Sequence, residues 1–562
     1  MPSNDPLRIA MPAPTGSGAV DEAVVLLRAL TACGLGSIVL APGSRSAPLV
    51  YALTAPDLAA SLDAHVRIDE RAAAFTALGL SRHDPCRPVA VATTSGTATA
   101  HLLAAVMEAH HSHIPLVVLT ADRPAELRGT GANQTTDQRD LFTRFVRFHA
   151  DVPAPTAPRA SDVELRLVTN LAARAMAVAT GEDPGPVHLN LCFRDPLVPQ
   201  GGRVGTDGTQ RITLTRRTPP APPAPVEIAV DARTVVLAGD GAGPQAAEFA
   251  HAASLPLLAE PSSGARHGAT FIPGYPAVLH DVMTTPGHPL RPQRVVTLGH
   301  PTLSRAVMRD LLGADDLEQI VVDPTLRWND AARRATLVVP AATPAPLDTV
   351  RDRADAVQAW TALAQQYAAP DRTALTWQAR AALDVWEASG DGDLLVLGAS
   401  ALVRDLDQHA GATRARVIAN RGLAGIDGTL SMATGLALRH QTGRVRVLVG
   451  DLTALHDATG LLIGPLEQEP DLQMIVVDDG GGRIFSGLEH AQAPIDLLER
   501  FFTTPHGACI AELAAACGAR ARSITPNELP SALATTGTGR QILVVQASSS
   551  ADSPSSRTTG VR

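Results

Sequence analysis

Short apolar runs recur along the first third of the chain, and most of them end on glycine or polar residues. They stand within GSIVLAPGS, VAVATTSG, IPLVVLTADRP and PVHLNLCF. Each run is rich in leucine and β-branched residues, and longer stretches of helical character separate them. Buried strands that alternate with helices are typical of a parallel sheet covered on both faces. The pattern therefore predicts a doubly wound α/β domain.

Two later segments repeat this pattern. One contains TVVLAGDGAG, RVVTLG and EQIVVDP, and the other contains LLVLGAS, ARVIANRG, RVRVLVGDL, LQMIVVDD and QILVVQA. Around Asp348 to Trp377 the pattern becomes helical and linker-like. The chain is thus predicted to form three consecutive α/β domains, each a doubly wound parallel sheet.

The domain boundaries follow from shifts in composition. The stretch Arg216 to Pro225, RRTPPAPPAP, is rich in proline and should be extended and stiff. The end of the chain is rich in serine and threonine, which favours disorder. We expect a first domain at residues 1–200, a linker at 201–228 and a central domain at 229–350. A third domain at 351–547 and a tail at 548–562 follow.

Composition excludes several classes of protein. The net charge of -9 is mild for 562 residues and argues against a nucleic-acid binder that relies on bulk electrostatics. No apolar run reaches the ~18 residues of a membrane-spanning helix, and the N-terminal residues do not resemble a signal peptide. The 5 cysteines are scattered without paired spacing, which indicates reduced thiols and a cytoplasmic protein.

The chain contains no lysine, so all 47 basic residues are arginines. An enzyme without lysine cannot form a Schiff base with its substrate or with pyridoxal phosphate. It also lacks the lysine of a phosphate-binding P-loop. These mechanisms are excluded.

Acidic residues follow two of the predicted strands in the third domain. Asp451 follows RVRVLVG, and Asp478 and Asp479 lie 27 and 28 residues further along, at the end of LQMIVV. That spacing fits a strand, a helix and a return strand, so both loops should emerge side by side. Carboxylates beside glycine suit Mg²⁺ bound to a diphosphate. The alternative is a solvated loop with a helix-capping aspartate.

Two other motifs are weaker. The turn Gly239 to Gly243 resembles a dinucleotide-binding fingerprint but has the wrong glycine spacing, which favours a tight turn before a helix. His110, His111 and His113 lie close together in EAHHSHIP, at the predicted end of a helix, and no cysteine is near them in the sequence. We do not expect a metal site there.

Several motifs together resemble one enzyme family. They are APGSRSAPL, RIDERAAAFTALGL, TSGTA, TADRPAEL, GTGANQ, NRGLAGIDGTLS and GGRIFSGLE, in order over roughly residues 20 to 545. They resemble the thiamine diphosphate (ThDP)-dependent 2-succinyl-5-enolpyruvyl-6-hydroxy-3-cyclohexene-1-carboxylate (SEPHCHC) synthases of menaquinone biosynthesis. The resemblance implies ThDP and Mg²⁺ as cofactors, with Mn²⁺ as an alternative ion. It also implies decarboxylation of 2-oxoglutarate and conjugate addition to isochorismate.

The resemblance assigns roles to particular residues. Glu70 matches the glutamate that hydrogen-bonds the cofactor's aminopyrimidine ring and activates it, and Ile426 matches the apolar side chain that supports the folded cofactor. Asp451, Asp479 and the Gly481 carbonyl match the metal ligands, and Asp479 matches the second residue of the Asn-Asn pair common in ThDP enzymes. An aspartate here adds negative charge beside the diphosphate. Substrate-binding positions match Ser44, Arg45, Arg123, Gln134, Arg305, Ser400, Arg404, Arg421, Ile484, Phe485 and Leu488.

The same resemblance implies a homo-oligomer, a dimer or a tetramer, because in ThDP enzymes the glutamate and the diphosphate site come from different subunits. Three other interpretations stay open at the level of the sequence. The chain could be a different ThDP-dependent decarboxylase or carboligase, such as an acetolactate synthase. It could also be a non-catalytic protein of the same fold, or a Rossmann-type dehydrogenase.

Overall fold

The computed structural model describes residues 7–205, 207–218, 221–345, 351–368, 371–535 and 537–547. The predicted disordered tail, 548–562, lies outside the described residues, as does part of the proline-rich stretch. No helix within the described ranges is both long enough and apolar enough to cross a membrane.

The first sheet has six parallel strands, and its inner strands are the apolar runs predicted from the sequence. Its helices cover both faces. In spatial order the strands are Asp63–Val66, Ser37–Leu40, Val89–Thr93, Leu116–Asp122, Val187–Cys192 and Phe148–Val152. The helices are Gly18–Ala32, Ala47–Ala52, Pro56–Ser61, Glu70–His83, Thr97–Ala100, Leu103–His111 and Asp162–Ala179.

The last sheet has the same order of connection as the first and is also fully parallel. Its strands, in spatial order, are Arg416–Ala419, Leu394–Leu397, Val445–Gly450, Leu472–Val477, Arg540–Val545 and Arg520–Ile524. Its helices are Trp377–Ala388, Ala401–His409, Thr429–Arg439, Asp451–His456, Ile495–Leu498, Ile510–Ala516 and Leu529–Leu533. The helix Arg351–Tyr367, which precedes them, packs against the central sheet, where Trp360 and Ala364 join the core.

The central sheet has five parallel strands. As in the other two sheets, the strand that comes first in the chain is second in the sheet, and the strand order reverses there. In spatial order they are Leu257–Ala259, Thr234–Ala238, Arg294–Leu298, Glu318–Val322 and Ala335–Val339. The helices Pro244–Ala253 and Tyr275–Thr284 and the π-helical turn Ala306–Leu311 accompany them. Three parallel α/β sheets in series confirm the predicted fold class. In such sheets ligands bind beyond the carboxyl ends of the strands, where the strand order reverses.

The segment 201–228, expected as a linker, contains two strands. Asp207–Thr213 pairs antiparallel with Arg8–Pro12, which joins the segment to the start of the chain. Val226–Ile228 pairs in parallel with Ala342–Pro344 and so belongs beside the central sheet. The segment thus pairs with the start of the chain through one strand and with the central domain through the other.

The helices Glu70–His83 and Thr429–Arg439 make the closest contact between the first and third domains. A Cβ atom on Gly79 would lie 2.0 Å from the Met432 carbonyl oxygen, and one on Gly435 would lie 2.1 Å from the Thr76 carbonyl oxygen. Only glycine can occupy both positions at this separation, so the two helix backbones touch directly.

We predict that Gly435→Ala lowers the stability of the protein. Alanine favours an isolated helix by up to about 1 kcal/mol, but the clash with backbone in the partner helix costs about 1–3 kcal/mol. The clash should win, and calorimetry should show a lower midpoint of thermal unfolding. Gly390→Ala is the control, because a Cβ there meets no atom within 4 Å. A higher midpoint for Gly435→Ala would contradict the prediction.

Candidate active site

The two acidic loops of the third domain lie side by side, as their spacing predicts. The strands Val445–Gly450 and Leu472–Val477 are parallel neighbours, with Gly450 opposite Val477 at their ends. Asp451 follows the first strand, and its carboxylate accepts a hydrogen bond from the Gly481 N–H at 2.7 Å. This edge of the sheet is next to the point where the strand order reverses, the expected place for a ligand.

Asp451 meets Asp478 and His506 in one cluster. Ligand atoms of the three side chains lie within 4.8 Å of one another, and His506 Nε2 is 3.2 Å from the Asp451 carboxylate. Burial, with the neighbouring charge of Asp478, raises the pKa of Asp451. Asp478 accepts hydrogen bonds from the Gln546 side chain at 2.7 Å and from the Gly480 N–H at 3.1 Å. His506 belongs to this cluster, although nothing in the local sequence pattern marked it.

Asp479 points to different partners. Its carboxylate accepts a hydrogen bond of 3.3 Å from the Gln378 side chain. Burial, as the larger cause, and the charge of Asp451, as the second, raise the pKa of Asp479 to about 6. The structure thus groups Asp478, not Asp479, with Asp451, and the assignment of Asp479 as a metal ligand stays a prediction.

The donor set of this loop region suits a hard divalent cation. The carboxylates of Asp451, Asp478 and Asp479 lie near one another, and their negative charges are only partly balanced by neighbouring positive groups. A bound cation would stabilise their ionised forms. Gly480 and Gly481 both have positive φ angles, 83° and 136°, which glycine adopts without strain. A Cβ on Gly480 or Gly450 would meet no atom within 4 Å, which leaves backbone open to an approaching anion.

A group of arginines lies beyond the neighbouring strand ends. Ser400 caps the helix Ala401–His409, and Arg404 Nη1 donates to the Ser400 carbonyl at 2.9 Å. Arg421 follows the strand Arg416–Ala419 and is 3% exposed. Loss of hydration, with the positive charges of Arg421 and Arg305, lowers the pKa of Arg404. The structure therefore brings together Arg305, Arg404 and Arg421, three of the predicted substrate residues.

A second group lies at the strand ends of the first domain. Arg45, which follows the exposed Ser44, is buried, and its guanidinium donates to the Phe193 carbonyl at 2.9 Å. Loss of hydration and the nearby charge of Arg123 lower the pKa of Arg45. Arg123 donates to the Asn133 carbonyl at 2.7 Å, and the Gln134 side chain donates to the Ser95 carbonyl at 2.9 Å. The predicted residues of this domain thus also form one group.

Glu70 opens the long helix of the first domain. Asp69 caps that helix and accepts a hydrogen bond of 2.9 Å from Thr459 of the third domain. The Glu70 carboxylate is half-buried and forms no hydrogen bond or ion pair with any residue that the structure describes. Ile426 is half-buried in the loop before the helix Thr429–Arg439.

Three of the predicted substrate-binding residues, Ile484, Phe485 and Leu488, form an apolar wall just after the acidic loop. Ile484 and Phe485 are part of the 3₁₀ turn Arg483–Gly487, and Leu488 follows it. The Phe485 ring packs against Phe502, with 5.7 Å between the ring centroids. All three side chains of the wall, Ile484, Phe485 and Leu488, are half-buried.

Sequence reasoning missed two residues that hold these loops. The buried Glu108 carboxylate accepts hydrogen bonds from the N–H groups of Gly422 and Leu423, both at 2.9 Å. The Thr302 hydroxyl of the central domain accepts from the Arg421 guanidinium at 2.5 and 3.1 Å. Both contacts join distant parts of the chain, and no local sequence motif predicts them.

Comparison with known proteins agrees with this architecture. Residues 21–141 match the family model of the thiamine pyrophosphate enzyme N-terminal TPP binding domain. The structure is similar to benzoylformate decarboxylase from Polynucleobacter necessarius, with a TM-score of 0.63 and 18% identity over 94% of this chain and 99% of that one. The fold is thus that of the thiamine diphosphate (thiamine pyrophosphate) enzymes.

The sequence relatives are more specific. The chain is 46% identical to the SEPHCHC synthase of Kineococcus radiotolerans, over 93% of this chain and 94% of the relative. It is 44% identical to that of Arthrobacter sp. strain FB24, over 95% and 91%, and 42% identical to that of Thermobifida fusca, over 88% and 90%. The protein belongs to the SEPHCHC synthase family.

Proposed function

We propose that the protein combines 2-oxoglutarate and isochorismate to form SEPHCHC and CO₂, a step of menaquinone biosynthesis, in the cytoplasm. The observation that carries this proposal is the pair of arginine groups at the strand ends of the first and third domains. Both substrates are dicarboxylates, and arginine binds carboxylates through two parallel hydrogen bonds. A site for a small 2-oxoacid such as pyruvate would not need so many fixed cations.

The cofactor we propose is ThDP held through Mg²⁺, with Mn²⁺ as an alternative ion. When bound, ThDP supplies a nucleophilic carbon and an electron sink. Asp451, Asp479 and the Gly481 carbonyl would hold the metal and through it the diphosphate. Asp478, which the structure groups with Asp451, is the competing ligand. Ile426 would support the folded cofactor.

The roles proposed for the other residues come from the family resemblance. Glu70 would hold a proton at a ring nitrogen of the cofactor. Ser44, Arg45, Arg123 and Gln134 on one side, and Arg305, Ser400, Arg404 and Arg421 on the other, would bind and orient the substrate carboxylates. Ile484, Phe485 and Leu488 would exclude water from the reacting carbons.

We also propose that the active form is a homodimer or homotetramer with Glu70 at a subunit interface. Ile68, two residues before Glu70, is 70% exposed, and Leu466 is 97% exposed. The Val66 N–H donates to the Glu467 carboxylate at 2.7 Å, which places these two exposed apolar side chains on one part of the surface. Apolar surface beside a proposed catalytic residue is what a partner subunit would cover.

The direct test is a coupled assay with 2-oxoglutarate and isochorismate, with and without ThDP and Mg²⁺. Product that requires all four components would support the proposal. Equal or faster turnover with pyruvate in place of 2-oxoglutarate would instead indicate a different ThDP-dependent carboligase. Calorimetry that finds no ThDP binding would indicate a non-catalytic member of the fold.

We predict that Glu70→Gln reduces turnover by about 10²- to 10⁴-fold, the usual range for a positioned proton-transfer group. The variant should keep its fold, because Glu70 makes no hydrogen bond or ion pair with other described residues. Turnover near that of the wild type would remove Glu70 from the mechanism. Sedimentation should show at least a dimer, and an active monomer would refute the proposed interface.

We predict that Asp479→Ala raises the Mg²⁺ and ThDP concentrations needed for activity, with partial rescue when both are saturating. Asp479→Asn should stay active, because an amide oxygen can replace the carboxylate as a ligand. Titration of Mg²⁺ and ThDP against each variant measures the effect, and Asp478→Ala is the matched comparison. If only Asp478→Ala shifts the titration, Asp478 is the ligand.

We predict that Arg404→Ala weakens the use of the dicarboxylate substrates and leaves ThDP binding intact, and the same holds for Arg421→Ala. Arg421 is buried, and removal of one partner from a desolvated charge pair typically costs about 2–5 kcal/mol. Loss of Arg421 should therefore raise KM more than loss of the exposed Arg404. Steady-state kinetics and ThDP titration separate the two effects. Loss of ThDP affinity with an unchanged KM would place these arginines at the wrong end of the cofactor.

A further inference from the structure

A loop of the central domain, residues 299–305, reaches the arginines of the third domain. Its backbone is fixed against the glycine-rich turn that follows the strand Thr234–Ala238. A Cβ on Gly239 would lie 2.0 Å from the Pro301 nitrogen, so the two segments touch without side chains between them. Asp240 and His300 exchange backbone hydrogen bonds of 2.9 and 3.0 Å. The turn thus serves as a rigid support for the loop.

The loop is also fixed by a buried carboxylate. Glu260 is fully buried, and its Oε1 accepts hydrogen bonds from the N–H groups of Thr302 and Leu303, both at 2.8 Å. Two donations to one oxygen set the orientation of the peptide that carries Thr302. The position of the Thr302 hydroxyl is therefore determined by the core of the central domain.

That hydroxyl accepts from two nitrogens of Arg421. The distances to Thr302 Oγ1 are 3.1 Å from Nε and 2.5 Å from Nη2. The backbone just after Arg421 is held separately, because Glu108 of the first domain accepts from the Gly422 and Leu423 N–H groups. Arg421 is therefore held by the first domain through its backbone and by the central domain through its side chain.

A hydroxyl partner suits an arginine that must bind an anion. Threonine accepts the two N–H groups without adding a negative charge beside Arg421, whereas an aspartate in its place would pair with that charge directly. Burial, with the charge of Asp407, raises the pKa of Glu260 to about 8. The raised pKa favours the uncharged form of Glu260 behind the loop.

We propose that Thr302 is a positioning residue that orients Arg421 toward a substrate carboxylate, with Glu260 fixing Thr302. The central domain thereby takes part in substrate recognition. This inference rests on the proposed function in one respect, the role of Arg421 as a carboxylate-binding residue.

The test begins with Thr302→Val, which removes the acceptor and keeps the shape of the side chain. We expect KM for 2-oxoglutarate or isochorismate to rise about 10-fold, the lower end of what a hydrogen bond to a charged group supplies. ThDP binding and the midpoint of thermal unfolding should stay unchanged. Thr302→Ser restores the hydroxyl and should stay within about 2-fold of the wild type.

Thr336→Val is the matched control in the same domain. The Thr336 hydroxyl donates to the Gln319 carbonyl at 2.9 Å in a sheet-edge strand, and the variant should leave KM unchanged. A double-mutant cycle with Arg421→Ala then isolates the contact. If Thr302 acts through Arg421, Thr302→Val should have no further effect once Arg421 is alanine.

Affinity for glutarate, a dicarboxylate without the reactive carbonyl, provides a readout that does not require turnover. Calorimetry on the protein with ThDP and Mg²⁺ should show the same loss in Thr302→Val and the same absence of a further loss in the double variant. Unchanged KM and glutarate affinity in Thr302→Val, or fully additive effects, would overturn the positioning role. If the wild-type protein binds glutarate but does not turn over the two substrates, only the proposed reaction is refuted. If it neither binds glutarate nor shows turnover, the proposed reaction and the positioning role of Thr302 are both refuted.

Discussion

The backbone contact between the helices Glu70–His83 and Thr429–Arg439 is the constraint on which the candidate site depends. Facing glycines let these helices touch without side chains between them, which fixes the first domain against the third. The first helix begins at Glu70, and the loop before the second carries Arg421 and Ile426. This close packing sets the position of Glu70 relative to the loop that carries Arg421 and Ile426 within one subunit.

Positive charge at the strand ends is the second organising feature. Arginine keeps its charge when it loses hydration, so a lysine-free chain can place cations beside one another without losing a proton. Arg45 lies near Arg123 in the first domain, and Arg404 lies near Arg421 in the third. The Thr302 hydroxyl and backbone carbonyls accept hydrogen bonds from these side chains without adding charge, and Arg45 also forms an ion pair of 3.8 Å with the exposed carboxylate of Asp195.

The sequence predicted the inner strands of each sheet and missed most of the edge strands. Val89–Thr93 is buried along its whole length and reads as an unbroken apolar run. Asp63–Val66, Phe148–Val152 and Arg520–Ile524 lie at sheet edges and are exposed at several positions, so polar residues interrupt their pattern. The strand Asp207–Thr213 lies in the segment predicted as a linker. Six of its seven residues are not buried, so it has no apolar run that would predict a strand.

The sequence alone determined the fold class and the loops in which the proposed ligands lie, because each buried parallel strand is an apolar run in its own residues. The motifs in those loops carry the family resemblance. The tertiary structure decided which side chains meet. It grouped His506 and Asp478 with Asp451 and set the Thr302 hydroxyl against Arg421. These contacts join residues far apart in the chain, and a local pattern carries no information about a partner that only the packing of separate elements brings near.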